Sequence, residues 1–116
     1  MRRDEAHLAD ILEAAQAVHR FTSGVSLEAF KANEDKYEAV NRKLEIIGEA
    51  ARRLSPVARN QFPEIPWNLL TGMRNILIHD HDDVDLDVVW DTVQRDLPPL
   101  VNRSAAHFAA NPPPNP

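Results

Sequence analysis

The stretch Gly72-Met73-Arg74-Asn75-Ile76-Leu77-Ile78-His79-Asp80-His81 sets an arginine, an asparagine and two histidines in an otherwise largely apolar run. These types can move a proton and hold an anion. Histidine titrates near neutrality and can take or give a proton. Arginine grips phosphate oxygens with several fixed N–H groups. Asn75 and His79 are four apart and share a helix face, so the amide can hydrogen-bond the imidazole and fix its tautomer. Arg74 and His79 are five apart and point about 140° away from each other in a regular helix. They can converge on one substrate if the helix end unwinds. They can also converge if two copies meet across a two-fold axis, bringing two arginines and two histidines to one cleft. A plainer possibility carries more weight on spacing alone. An Arg-Asn pair can cap neighbouring carbonyls or pair with an Asp, and a His at a helix C-terminus is favoured by the dipole.

His79-Asp80-His81-Asp82-Asp83 mixes imidazoles and carboxylates, the ingredients of a metal site. His79 and His81 are two apart, so they diverge on a helix and match no standard helical ligand pair. No metal and no other cofactor is expected. Arg42, Lys43, Arg52 and Arg53 lie off the apolar seam of their helix and could form a rim that grips phosphates. With Glu45 and Glu49 interleaved, the same residues also make a solvated face of helix pairs, which the sequence favours.

The elements around these residues read as helical. Leu8, Ile11, Ala15 and Val18 repeat at three- and four-residue spacings, giving a first helix from about Asp4 to Phe21. Thr22-Ser23-Gly24 ends it, and Ser26 with Glu28 opens another. Tyr37, Val40, Leu44, Ile47, Ala51 and Leu54 form a heptad-like seam on a helix from about Glu34 to Leu54. Gly48 lies beside that seam. A glycine there costs about 1 kcal/mol relative to alanine, which a close approach of another backbone usually offsets. Ser55-Pro56 starts a short helix. Pro66 opens the helix that carries Trp67, Leu70, Met73 and Leu77 and ends near His79 or Asp80. After a polar connector, Asp85 caps a last helix with Leu86, Val89, Trp90, Val93 and Leu97 inward. Pro98-Pro99 kinks or restarts it, and it continues toward Phe108.

The expected fold is all-α: an antiparallel bundle of four or five helices. Residues 1–110 are expected to form one domain, and 111–116 a disordered Pro-rich tail. The 116 residues include no cysteine, which excludes disulfides and thiolate metal sites and fits a reducing compartment. No apolar run approaches the ~20 residues of a membrane span. Met1-Arg2-Arg3-Asp4-Glu5 begins basic without a following apolar stretch, so no signal peptide is expected and the expected location is cytoplasmic. A formal net charge of -5 argues against coating nucleic acid through bulk electrostatics and leaves room for a local phosphate grip.

Several motifs in order resemble a known family. They are Gly48-Glu49-Ala50 through Leu54-Ser55, Pro63-Glu64-Ile65-Pro66-Trp67, Gly72-Met73-Arg74-Asn75 with His79, Val84-Asp85, Val89-Trp90, and Asp96-Leu97-Pro98. Together they resemble the HepT-like branch of the HEPN superfamily, over roughly Asp4 to Val101. The resemblance implies a helical homodimer with metal-independent ribonuclease activity. It implies an arginine and a histidine separated by four to six residues as the catalytic pair, here Arg74 and His79 with four between them. It implies a toxin restrained by a nucleotidyltransferase antitoxin of the MntA type. In such a site the 2′-OH attacks the adjacent phosphate, and one His from each copy could serve as base and as acid. Arg74 would neutralise the phosphorane oxygens. Asn75 would orient His79 or bind a phosphate oxygen.

The chain departs from the family at one place. HepT-type toxins usually carry a tyrosine two positions after the motif histidine, which the antitoxin adenylylates. Here that position is His81, and the only tyrosine is Tyr37. His81 could instead contact a base or phosphate. The other class of function to weigh is a non-catalytic HEPN dimer that binds RNA or a nucleotidyltransferase. Arg74 and His79 favour the enzyme; the acidic charge and missing tyrosine favour the binding module.

Overall fold

The structure is a computed structural model, and it describes residues 2–112, with the side chains of Arg2 and His81 outside the description. The described residues form helices and connecting turns without strands. In order they are α1 (Arg2–Thr22), α2 (Leu27–Ala32), α3 (Glu34–Arg53), α4 (Pro56–Asn60), α5 (Trp67–His79), a 3-10 turn (His81–Asp83), α6 (Leu86–Arg95) and α7 (Leu97–Ala110). Five of these are ten residues or longer, matching the expected bundle; α2 and α4 are single short turns that join it. No described helix is long and apolar enough to cross a membrane.

The element boundaries follow local chemistry. Gly24, with φ of +74°, ends α1, a conformation that glycine adopts without strain. Ser26, Asn33, Ser55 and Asp85 each cap a helix by accepting a backbone N–H with the side chain. Asp96 separates α6 from α7, and Pro98 and Pro99 fall in the first turn of α7. The prolines therefore restart the helix rather than kink it, because a first turn needs no N–H donors. Asn111 closes α7 by donating from its backbone and side-chain amides to the His107 carbonyl. Residues 113–116 of the expected tail lie outside the described residues.

α1 and α3 run antiparallel, since Lys36 at the start of α3 donates to the Phe21 carbonyl at the end of α1. At the opposite end the Asp4 carboxylate accepts from both the N–H and the hydroxyl of Ser55. α7 lies antiparallel to α1, its His107 meeting Glu5. Val18, Val40, Leu44, Ile47, Leu70, Leu77, Val89 and Leu100 meet in one core. All the expected seam residues of α3 from Val40 to Leu54 are buried, and Tyr37 packs against the core's edge.

α5 is set by its entry loop. Trp67 buries its ring in the core and donates its indole N–H to the carbonyls of Arg59 and Phe62. A buried indole needs such a partner, so this bond fixes the angle at which α5 leaves the Pro63–Pro66 loop. α5 then lies along α3 and crosses it at Gly48.

Two carboxylates make the bundle acid-sensitive. The Ser55 N–H and hydroxyl hold Asp4 below its usual pKa. Hydrogen bonds from Arg52 and then Arg53 bring Glu49 to about 2. Both folded-state values are depressed, so their stabilisation is present above the unfolded values and is lost as pH falls through the folded ones. The melting temperature is therefore expected to stay level from pH 7 to about 5 and to fall between about 4.5 and 2. Glu49→Gln should flatten that fall, as read by circular dichroism melts across pH.

Candidate active site

Arg74 emerges from α5 against α3. An added Cβ on Gly48 would sit 2.3 Å from Arg74 Cβ and 2.7 Å from the Leu70 carbonyl oxygen. The close approach expected from Gly48 is thus an approach of the helix segment that carries Arg74. One residue further along α3, Glu49 Oε2 lies 3.1 Å from Arg74 Nη2. Glu49 Oε1 also accepts from Arg52 Nη2 at 2.7 Å and from Arg53 Nε at 2.9 Å. Arg74 Nη1 donates to Asn75 Oδ1 at 3.2 Å. The Arg74 Nε is buried and has no hydrogen-bond partner.

Arg74 opens on a groove of about 280 Å³ lined by residues of α1, α3 and α5, including His7, Asp10, Arg42, Glu45, Glu49 and Arg53. Arg42 is paired with Glu45 at 3.0 Å. Of the four basic residues proposed as a rim, Arg42 and Arg53 face this groove. Arg52 joins it through Glu49, and Lys43 lies about 100° further round α3 from Arg42. All three arginines are tied to carboxylates of their own helix, the solvated-face pattern the sequence favours.

His79 stands elsewhere. α5 is α-helical through His79, and the Asp80 N–H still bonds the Ile76 carbonyl at 2.9 Å. The helix end does not unwind before His79, so the offset of about 140° from Arg74 persists. His79 and Asn75 are exposed, on the side of α5 away from the core. Gly72 shares that side, with open space where a Cβ would go, and Leu69 and Ile76 flank it at 38 % and 46 % exposure. The expected Asn75–His79 hydrogen bond is replaced by the Asn75–Arg74 bond. The guanidinium is the stronger donor, and it lies beside the amide. His81 follows in the 3-10 turn, whose Asp83 N–H bonds the Asp80 carbonyl. Among the described residues no three His, Asp or Glu side chains gather where they could hold a metal.

The family profile "Ribonuclease HepT-like" matches residues 11–106, most of the chain. The chain belongs to the HepT-like ribonuclease family. A Methanocaldococcus jannaschii protein named as a candidate RNase is 42 % identical over 100 residues, covering 85 % of this chain and 92 % of its own. A Thermococcus cleftensis protein named as a probable ribonuclease HepT is 39 % identical over 99 residues, covering 85 % and 90 %. A Caldanaerobacter subterraneus protein, also named as a candidate RNase, is 32 % identical over 100 residues, covering 86 % and 89 %. No solved structure matches the chain. Within this HepT-like chain, sequence spacing pointed to Arg74, Asn75 and His79 but not to Glu49 as the anchor of Arg74. Gly48 was the available signal: it marked a close approach without saying which helix would make it.

Proposed function

We propose that the chain is a metal-independent endoribonuclease, the toxin of a toxin–antitoxin pair, with its active site assembled between two copies. The observation that carries this is the regular course of α5: one chain holds Arg74 against α3 while His79 faces outward with Leu69, Gly72 and Ile76. A second copy laid on that outward face brings a partner His79 toward the same cleft. Gly72 lets the two helices approach, and the exposed Leu69 and Ile76 gain burial. RNA then meets two imidazoles, one to take the 2′-OH proton and one to protonate the leaving 5′-oxygen. Arg74 stabilises the charge that develops on the phosphorane oxygens.

The partner antitoxin is a nucleotidyltransferase of the MntA type. With histidine at position 81 there is no phenol for it to adenylylate, so it restrains this chain by covering the cleft and offering carboxylates to its basic groups.

Light scattering with an RNA cleavage assay in EDTA tests the reading. The wild-type chain is expected to be a dimer at micromolar concentration and to cleave in EDTA. Ile76→Asp, which puts a charge on the seam, is expected to give a folded monomer with little cleavage. A wild-type monomer, or a strict need for a divalent ion, would overturn it.

A further inference from the structure

The mechanism above assigns Arg74 to the phosphate and leaves the Glu49 carboxylate unused. Glu49 is half-buried on a neighbouring helix and touches Arg74 at 3.1 Å. Its presence beside a phosphate-binding arginine is paradoxical, since an isolated ion pair would cancel the charge the phosphate needs. The surroundings resolve the paradox. Glu49 is shared among Arg74, Arg52 and Arg53, so three guanidiniums meet one carboxylate, and with the Arg42–Glu45 pair and Asp10 of the same groove counted one positive charge remains. Arg74 is also gripped at two places at once: Nη2 by Glu49 and Nη1 by Asn75. Its Nε is buried without a partner, and the side chain is only 25 % exposed. Its outward N–H groups on the two terminal nitrogens are the ones left for an anion.

We propose that Glu49 is a positioning residue for Arg74, fixing the plane of the guanidinium before RNA arrives, while Arg52 and Arg53 keep the site cationic. This rests on the nuclease reading of Arg74. The Gly48-Glu49 pair then has one purpose: the glycine admits α5 to contact, and the carboxylate one residue later locks the side chain that α5 delivers. Arg52 and Arg53 serve by holding Glu49, at i+3 and i+4 on α3, and not by gripping RNA themselves.

The position of a bound group matters steeply, and a displacement of about 1 Å can cost on the order of 100-fold in rate. Glu49→Ala is expected to lower kcat for cleavage of a short RNA by about 10- to 100-fold with a smaller change in KM. Glu49→Gln keeps an oxygen acceptor for Arg74 and is expected to restore most of that loss. In an Arg74→Ala background Glu49→Ala should cost nothing more. A role in stability alone predicts the reverse: losses that track the melting temperature and add to those of Arg74→Ala. If Glu49→Ala instead lowered KM and raised cleavage, Glu49 would be a competitor of the phosphate and the proposal would fall. A second measurement needs no catalysis. The Arg74 Nε–H resonance in nitrogen-15 NMR should be sharp and slow to exchange in the wild type, and broadened or averaged in Glu49→Ala. An equally ordered resonance in both overturns the positioning role. Wild-type protein that cuts no RNA would sink the nuclease reading, and the NMR comparison would still decide what Glu49 does to Arg74.

Discussion

Replacing His79 with alanine is expected to lower RNA cleavage by about 10²- to 10⁴-fold, the range for loss of a general acid or base. The helical circular dichroism and melting temperature should hardly change, because His79 is exposed at the end of α5 and its side chain packs no core contact. The loss should fall in kcat if the imidazole acts only as protons move. Arg74→Ala should cost about 10²- to 10³-fold by removing a donor to the developing oxyanion. Its effect on folding will be larger than that of His79, since the half-buried guanidinium pairs with Glu49. Arg74→Lys keeps the charge but loses the planar fork that reaches Glu49 and Asn75 and would face the phosphate, so it should recover only part of the rate. Variants that cleave as fast as the wild type would remove both residues from the chemistry.

The second large effect is expected at Gly48. Elsewhere in a helix Gly→Ala would gain about 1 kcal/mol. Here the new methyl group falls 2.3 Å from Arg74 Cβ and 2.7 Å from the Leu70 carbonyl, so backbone must move on one side or the other. Overpacking of this kind costs about 1 to 3 kcal/mol, sometimes more, and should outweigh the propensity gain. With a domain of this size each kcal/mol lowers the melting temperature by about 4 °C, so a fall of about 4 to 12 °C is expected for Gly48→Ala. Cleavage should drop further than the unfolded fraction explains, because the shift carries Arg74 away from Glu49. A variant as stable and active as the wild type would mean that α3 and α5 do not meet at this glycine.

The helices were legible in the sequence because their signals are local. Ser26, Ser55 and Asp85 are capping residues with the right neighbours, and the seam from Val40 to Leu54 has the period of a packed helix. Even the close contact at Gly48 could be anticipated, since a glycine on an otherwise good helix calls for a compensating approach. The partner of that contact could not. The register of α5 on α3 depends on Trp67 bonding the Arg59 and Phe62 carbonyls and on the packing of Leu70 and Leu77, which are contacts between distant residues. The same register sets Glu49 beside Arg74 and turns Asn75 toward Arg74 rather than toward His79. The four-residue spacing of Asn75 and His79 permits their bond; it does not compel it when a guanidinium is nearer. Asp4 with Ser55 is a similar case, since fifty-one positions separate the two.

The central claim is that one active site draws on both copies of the chain, and a mixed dimer tests it most directly. Wild-type and His79→Ala chains bearing different tags can be co-expressed, and the heterodimer isolated by two affinity steps and assayed before its subunits exchange. If one His79 acts as base and the other as acid on the same phosphodiester, the heterodimer should cleave nearly as slowly as the His79→Ala homodimer, down by about 10²-fold or more. A heterodimer retaining half of the wild-type rate would show that each chain works alone, and would contradict the shared site.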